Sequence, residues 1–435
     1  MKELDLQNEK IPKLFVAYAI PAMIGVAVFS LYSLVDSIFV SRFCGAEALS
    51  AVELCAPVLS IFSCVSVIIG VGGNTLLGIS IGENDHQKAK SIFTLTSVLI
   101  FAFSALFIVV VSVFTKQLAV LLGADETVIN FVCDYLSICG YFAPAFLISG
   151  FWALCMETVG KPALAMLGQV VTAFGNIALD YLFIVKLDMG VRGAALASAL
   201  SAVLAVLLYT FALLKSKLAF CKFKLDLKLI GKMLYNGLSE GISAVSMGII
   251  SYIYNIVIMK ASGSNVLASF SITLTIINFM GSILIGASQG ISPIVSVNFG
   301  AKKYDRIKQS VKAFITGEVV LSAIVSILFA IFHSGLIGLF HAENSALSWA
   351  IGRAYIPSLV FTPINVVIIS YFTAINDAKT SAILSLLRAF IIRALIVISG
   401  YYVFGINAVW YSAAVSELIV MLICISVYYK KQVTY

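Results

Sequence analysis

Asn176 and Asp180 stand four residues apart, on one face of any helix formed by the run VVTAFGNIALDYLFIV (170 to 185). The rest of that run is apolar enough to lie in lipid. A carboxylate near the middle of a membrane helix costs about 2.5 to 3.5 kcal/mol on insertion scales, so such groups face a cavity or a partner rather than lipid. An acid beside an amide offers oxygen ligands and one exchangeable proton. The chemistry open to this pair is reversible binding of a proton or a small cation.

Membrane helices must position them. The chain has 435 residues, 61% of them hydrophobic and 11% charged, with a mean hydropathy of +1.06. That exceeds what a soluble core can bury, and the excess falls in runs of about 20 residues. The runs are continuous, without the alternation and ~10-residue length of barrel strands, so the fold class is an all-α polytopic membrane protein. Spans fall near 15–41, 49–80, 91–114, 129–156, 163–185, 191–214, 233–259, 266–298, 312–332, 347–375, 380–403 and 407–428. Spans 2 and 8 are longer than the ~20 residues a crossing needs and so tilt or protrude. The polar first 13 residues lead into span 1 without a small-x-small cleavage site, so that span is expected to be retained.

Lys and Arg set the orientation. The N-terminus, the loops after even-numbered spans and the C-terminus carry 20 of them, and the opposite loops carry six: Arg42, Lys116, Lys186, Arg192, Lys260 and Arg353. This places both termini in the cytoplasm of a multi-pass plasma (inner) membrane protein. The same asymmetry accounts for the net charge of +7 and argues against nucleic-acid binding. The basic stretch from Lys215 to Lys232 is the longest connector and divides the chain into 1–214, a cytoplasmic linker 215–232, and 233–435.

The two parts are copies. Shifting the chain by 218 residues lays GENDHQKAK (82 to 90) on GAKKYDRIK (300 to 308) and LAVLLGAD (118 to 125) on LIGLFHAE (336 to 343). At the same offset Gly45 meets Gly263, Gly72 meets Gly290, and Ser198 meets Ser416. Six spans per copy is an even number, so the copies enter the membrane the same way round. Parallel repeats of this kind are related by an axis along the membrane normal, and the substrate path usually runs between them.

Several segments resemble one family. VDSIFVSRFCGAEALSA and GVGGNTLLGISIGENDHQKA in the first half, and ASQGISPIVSVNFGAKKYDRIK and GINAVWYSAAVSE in the second, are similar to the multidrug and toxic compound extrusion (MATE) family, most of all its bacterial MepA/DinF-like branch. The resemblance runs over nearly the whole chain. It implies two six-helix lobes that export amphiphilic, often cationic organic compounds against inward-moving H+ or Na+. It also implies a cation site in the first lobe built from Asp36, Asn176 and Asp180, and a bendable first helix at Pro21. At 1.5 Å per residue these three polar residues lie ~30, ~20 and ~26 Å beyond the cytoplasmic ends of their spans, so they can meet in the outer half of the bilayer. Two carboxylates sharing a poorly hydrated site can hold a proton, or coordinate a monovalent cation with the Asn carbonyl. Solvation of Asp36 at the outer end of span 1, and an interhelical hydrogen bond from Asn176, are the bland alternatives.

Family members with a sodium site in the second lobe carry acids on spans 7 and 10. Span 10 here has none, which favours the first-lobe site. Glu240, Tyr254, Met280 and Gln289 are candidates for contact with substrate, and Met156, Phe174, Tyr181 and Tyr371 could also stack on a planar cation. Such side chains in a bundle are more often packing or lipid-facing. Arg388 and Arg393 are candidate counter-charges to Glu240 or Glu417, and Glu318 is close enough to the start of span 9 to snorkel. Pro57, Pro144, Pro293, Pro357 and Pro363 lie inside spans and can kink them.

Other classes fit less well. The glycines at 70, 72 and 73 read as close helix packing, because no lysine-tipped phosphate loop follows them. The eight cysteines form no CxxC pair, and His86, His333 and His341 fall in or near loops, so no metal, nucleotide or other cofactor is expected beyond the coupling ion. A flippase of lipid-linked saccharides is the runner-up, yet it would be expected to place several Arg or Lys in its cavity. A membrane-embedded enzyme would need clustered acids or paired His that are not present. The expected partners are small organic cations and the bilayer, with the chain acting as a monomer.

Overall fold

A computed structural model describes residues 3–214, 216, 218–223, 225–339 and 345–432. The first half runs through α1 (Ile11–Phe39), α2 (Ala46–Gly82), α3 (His86–Leu121), α4 (Ile129–Tyr141), α5 (Ala143–Thr158), α6 (Pro162–Asp180) and α7 (Gly190–Leu214). The second runs through α8 (Leu227–Ser262), α9 (Ser264–Gln289), α10 (Ile291–Gly300), α11 (Tyr304–Leu339), α12 (Ser345–Ala374), α13 (Ala378–Leu386), α14 (Ile392–Phe404) and α15 (Ile406–Gln432). No strand occurs among the described residues.

Among the described residues eleven helical spans are long and apolar enough to cross a bilayer, and α4 with α5, bent by 52°, makes a twelfth. Each expected span finds its helix. Pro144 sits at the start of α5, where its missing N–H costs nothing but where the ring cannot continue α4. Spans 2 and 8 are each 37 residues long, counting α9 and α10 as one. The all-α, twelve-span architecture read from the sequence is therefore the observed one.

The repeat is visible in the backbone. Gly45 (φ 96°) and Gly263 (φ 79°) both adopt the left-handed region between the first and second helices of their copies. Asn84 (φ 59°) and Lys302 (φ 58°) do so in the matching turns between the second and third spans. Those turns are closed by equivalent bonds, Asp85 N to Ser80 O at 3.0 Å and Lys303 N to Asn298 O at 2.9 Å. A non-glycine residue pays for positive φ, so its recurrence at the same offset marks a turn geometry kept by both copies.

The chain forms two compact units. One contains Ile24–Gly237 and the residues up to Asp5, and the other contains Leu6–Met23 and everything from Leu238. The first turns of α1 thus group with the second unit, and those of α8 with the first. The change of unit along α1 comes two residues after Pro21, which lies inside the helix. Helix α8 begins at Leu227, within the stretch expected to be linker, and Asp226 caps it by accepting from Lys228 N at 2.9 Å. Cys221 N donates to Thr94 Oγ1 at 3.1 Å, fastening part of that stretch to the first unit. Lys215, Lys217 and Lys224 lie outside the described residues, as do His341 and the end of the 336–343 repeat segment.

In the first unit, buried residues such as Ala48, Ala51, Cys55, Val132 and Ala195 form one apolar cluster, and Phe93, Phe151, Trp152 and Tyr209 belong to another. Phe270, Tyr254, Phe329 and Trp410 centre the core of the second unit. Small residues let helices meet closely. A Cβ at Gly72 would overlap the Met233 carbonyl, and one at Gly237 would overlap that of Ile68, so α2 and the start of α8 touch backbone to backbone.

Candidate functional site

The first unit brings Asp36, Asn176 and Asp180 together. Asp36 lies on the last turn of α1, just before a π-helical turn at Val40–Cys44, and Asp180 ends α6 just before another at Tyr181–Lys186. A π turn adds a residue to the helical ring and re-aims the side chains around it, and such turns are frequent at functional sites. Asn176 and Asp180 are fully buried, one turn apart on α6. The Asn176 amide nitrogen donates to Ser198 Oγ of α7 at 3.2 Å, which fixes the amide so that its oxygen is left free. The interhelical hydrogen bond and the ligand reading thus both hold: the two ends of the amide do different things.

The carboxyls of Asp36 and Asp180 lie within hydrogen-bonding reach of one another. Neither oxygen of Asp180 receives a hydrogen bond, nor does Oδ1 of Asp36. Tyr32, one turn before Asp36, lies near both acids. Among the described residues no lysine, arginine or histidine pairs with either acid. Three buried carboxyl oxygens of the Asp36 and Asp180 pair thus receive no hydrogen bond, and neither does the Asn176 amide oxygen one turn before Asp180. Two bare carboxylates in such a place repel one another and are poorly solvated, so the arrangement is satisfied when a proton is shared between them or a monovalent cation takes the oxygens. No group of three His, Cys, Asp or Glu side chains placed to hold a metal ion occurs among the described residues.

In the second unit, Glu417 of α15 is the hub of a buried charged cluster. It accepts from Arg393 at 2.7 Å, Arg388 at 3.2 Å and Asn365 Nδ2 at 2.8 Å. Arg388 lies in a third π-helical turn, Leu387–Ile391. Both arginines thus have Glu417 as their partner, and Glu240 lies near Arg388 without bonding to it. Tyr254 is buried in the core with its hydroxyl 2.7 Å from Ser412 Oγ, Met280 packs against the same core, and Gln289 is exposed at the end of α9. The expectation that Glu318 snorkels is overturned: it is fully buried on α11, because its helix face turns inward against α9, α10 and α12.

Ser198, Tyr32 and Asn365 were not singled out from the sequence. Ser198 carried one signal, its match to Ser416 across the repeat. Tyr32 and Asn365 carried none, since an isolated tyrosine or amide in an apolar run is ordinary.

Known proteins place this geometry in context. The chain is 26% identical over 431 residues to the multidrug export protein MepA of Staphylococcus aureus (strain NCTC 8325 / PS 47), covering 97% of this chain and 94% of the relative. It is 24% identical over 424 residues to the protein of that name from Staphylococcus saprophyticus, covering 95% and 92%. In three dimensions it resembles a multidrug resistance MATE family transporter of the MOP superfamily solved in an outward-facing conformation, with a TM-score of 0.92, 22% identity and coverage of 100% and 98%. The MatE family profile matches twice, over residues 21–182 and 241–398, once in each copy of the repeat. With both copies matched over most of their length, the chain belongs to the MatE family.

Proposed function

We propose that this protein is a cation-coupled antiporter that exports amphiphilic, cationic organic compounds from the cell. Asp180 is the principal carrier of the coupling ion, Asp36 the second carboxylate, and Asn176 a neutral ligand held in place by Ser198. The observation that carries this reading is the approach of the Asp36 and Asp180 carboxyls without a basic partner, with the free Asn176 amide oxygen one turn before Asp180 on the same helix. Relatives named as multidrug export proteins support export of small molecules and favour transport over catalysis. Both termini face the cytoplasm in this scheme, in keeping with the lysine-rich loops, and one chain is the working unit.

A coupling ion must compete with substrate or alternate with it. Buried carboxylates do this well, because their charge state changes with the ion and the cost of leaving them bare drives the next step. Proteoliposomes loaded with a fluorescent cationic dye test the scheme. Efflux that follows an imposed proton gradient, or an imposed sodium gradient, supports it and names the ion. Dye movement indifferent to both gradients would remove it.

A further inference from the structure

Glu318 is a buried acid that the first-unit site does not use. It is fully buried on α11, and neither carboxyl oxygen receives a hydrogen bond. It lies six residues past Lys312, about 9 Å along the helix. Gly317 beside it is covered by the Phe15 ring, and Phe15 in turn packs edge-on against Phe314 at 5.0 Å, so the start of α1 seals this stretch of α11 within the second unit.

Its surroundings offer acceptors and no charge. The Ser288 hydroxyl next to Glu318 gives its own proton to the Leu284 carbonyl at 3.0 Å, leaving an oxygen that can accept. The elements packed against α11 are the start of α1, α9, α10 and α12. Their charged residues are Lys13, paired with Glu9, and Arg353, exposed over the Trp349 ring. Their tyrosines are Tyr18, Tyr355 and Tyr371. No cation on these helices is aimed at Glu318.

The repeat shows that this is a departure from a structural pattern. The matching residues in the first unit are Ile100, also fully buried, and Ser104, whose hydroxyl donates back to the Ile100 carbonyl at 2.7 Å. That back-bond is the usual arrangement for a membrane serine. Ser322, one turn after Glu318 and fully buried, does not make it, and its hydroxyl has no partner. An apolar core position has become an acid, and the hydroxyl next to it has been released from the backbone.

We propose that Glu318 is a proton-binding site of the second unit, holding its proton in this conformation beside the Ser288 hydroxyl. A neutral carboxylic acid is one donor and one acceptor, which suits a site lined by hydroxyls and closed by phenylalanine, whereas a bare carboxylate there has only the Ser288 hydroxyl, and no charge, to offset its burial. The site takes a proton and is separate from the Asp36 and Asp180 pair, so it stands whatever ion that pair carries.

Infrared difference spectra of the purified protein in lipid bilayers at neutral pH test this without any transport step. Subtracting Glu318→Gln from wild type should reveal one carbonyl stretch of a protonated carboxylic acid, unchanged when sodium chloride replaces potassium chloride and still present in an Asp180→Asn background. If the subtraction shows only an ionised carboxylate, or if sodium removes the acid band, the proposal is overturned. Should Glu318→Gln fail to assemble, Glu318→Asp serves: the acid band must move, and a spectrum identical to wild type in that region overturns the proposal.

Discussion

Ser198 and Ser416 occupy matching places in the two units, and each accepts a hydrogen bond from a polar side chain of the preceding helical span. Ser198 accepts from Asn176 at 3.2 Å, and Ser416 from Arg393 at 3.4 Å. One scaffold thus holds two different chemistries. In the first unit the neighbouring acids lack basic partners, so they are free to bind an ion. In the second, Glu417 is already occupied by two arginines and Asn365, so its charge is locked into structure.

Glu417→Ala should therefore damage stability rather than coupling. Removing one member of a buried ion cluster costs about 3 to 5 kcal/mol, because the others stay buried and uncompensated. The thermal midpoint of the purified variant in detergent should fall by several degrees. A midpoint equal to wild type would show that the cluster is not structural.

Close backbone contact between α2 and α8 makes a second stability prediction. Gly72→Ala and Gly237→Ala each insert a methyl into a carbonyl of the opposing helix, an overpacking that costs about 1 to 3 kcal/mol or more because backbone must move. Gly150→Ala and Gly231→Ala, where a Cβ meets nothing within 4 Å, should be neutral. Comparing the four midpoints checks the packing, and equal values for all four would contradict it.

Asp377 provides a pH test outside the spans. It caps α13, accepting from Thr380 N at 3.3 Å, and also accepts from the Lys431 ammonium. Burial raises its affinity for a proton, but the Lys431 and Thr380 hydrogen bonds outweigh that and hold its carboxyl below the ordinary value. A depressed carboxyl adds stability above the unfolded value of about 3.9 and loses it as pH falls through the lower native value. Asp377→Asn should thus lower the midpoint at pH 7, and the gap to wild type should close in strongly acidic buffer. A gap that persists unchanged in acid would refute the assignment.

Topology can be read directly. A cysteine placed at Ser216 should react with an impermeant maleimide in inside-out vesicles and stay unlabelled in intact cells, because this connector follows an even-numbered span and is rich in lysine. Labelling from outside intact cells would invert the topology.

The twelve spans, the 218-residue repeat and the Asn176/Asp180 pair were legible because each is a local or periodic signal: a long apolar run, a fixed offset, or an acid where lipid is expected. The π-helical turns beside Asp36, Asp180 and Arg388 were not legible, since one extra residue in a helical ring leaves no trace in an apolar sequence. Nor was the choice of Glu417 over Glu240 as partner of Arg388, which depends on how α12, α14 and α15 pack. Counting from a span's end put Glu318 near the interface, but exposure depends on which way a face turns, and the repeat partner Ile100 was the better guide.

Asp180→Asn tests the central claim most directly, because it keeps the side chain's size while removing the charge and the exchangeable proton. Folded variant protein in proteoliposomes should bind a cationic dye about as wild type does, yet show gradient-driven efflux no faster than empty liposomes, with Asp36→Asn weakened in the same direction. Efflux by Asp180→Asn at the wild-type rate, under the gradient that drives wild type, would contradict the account.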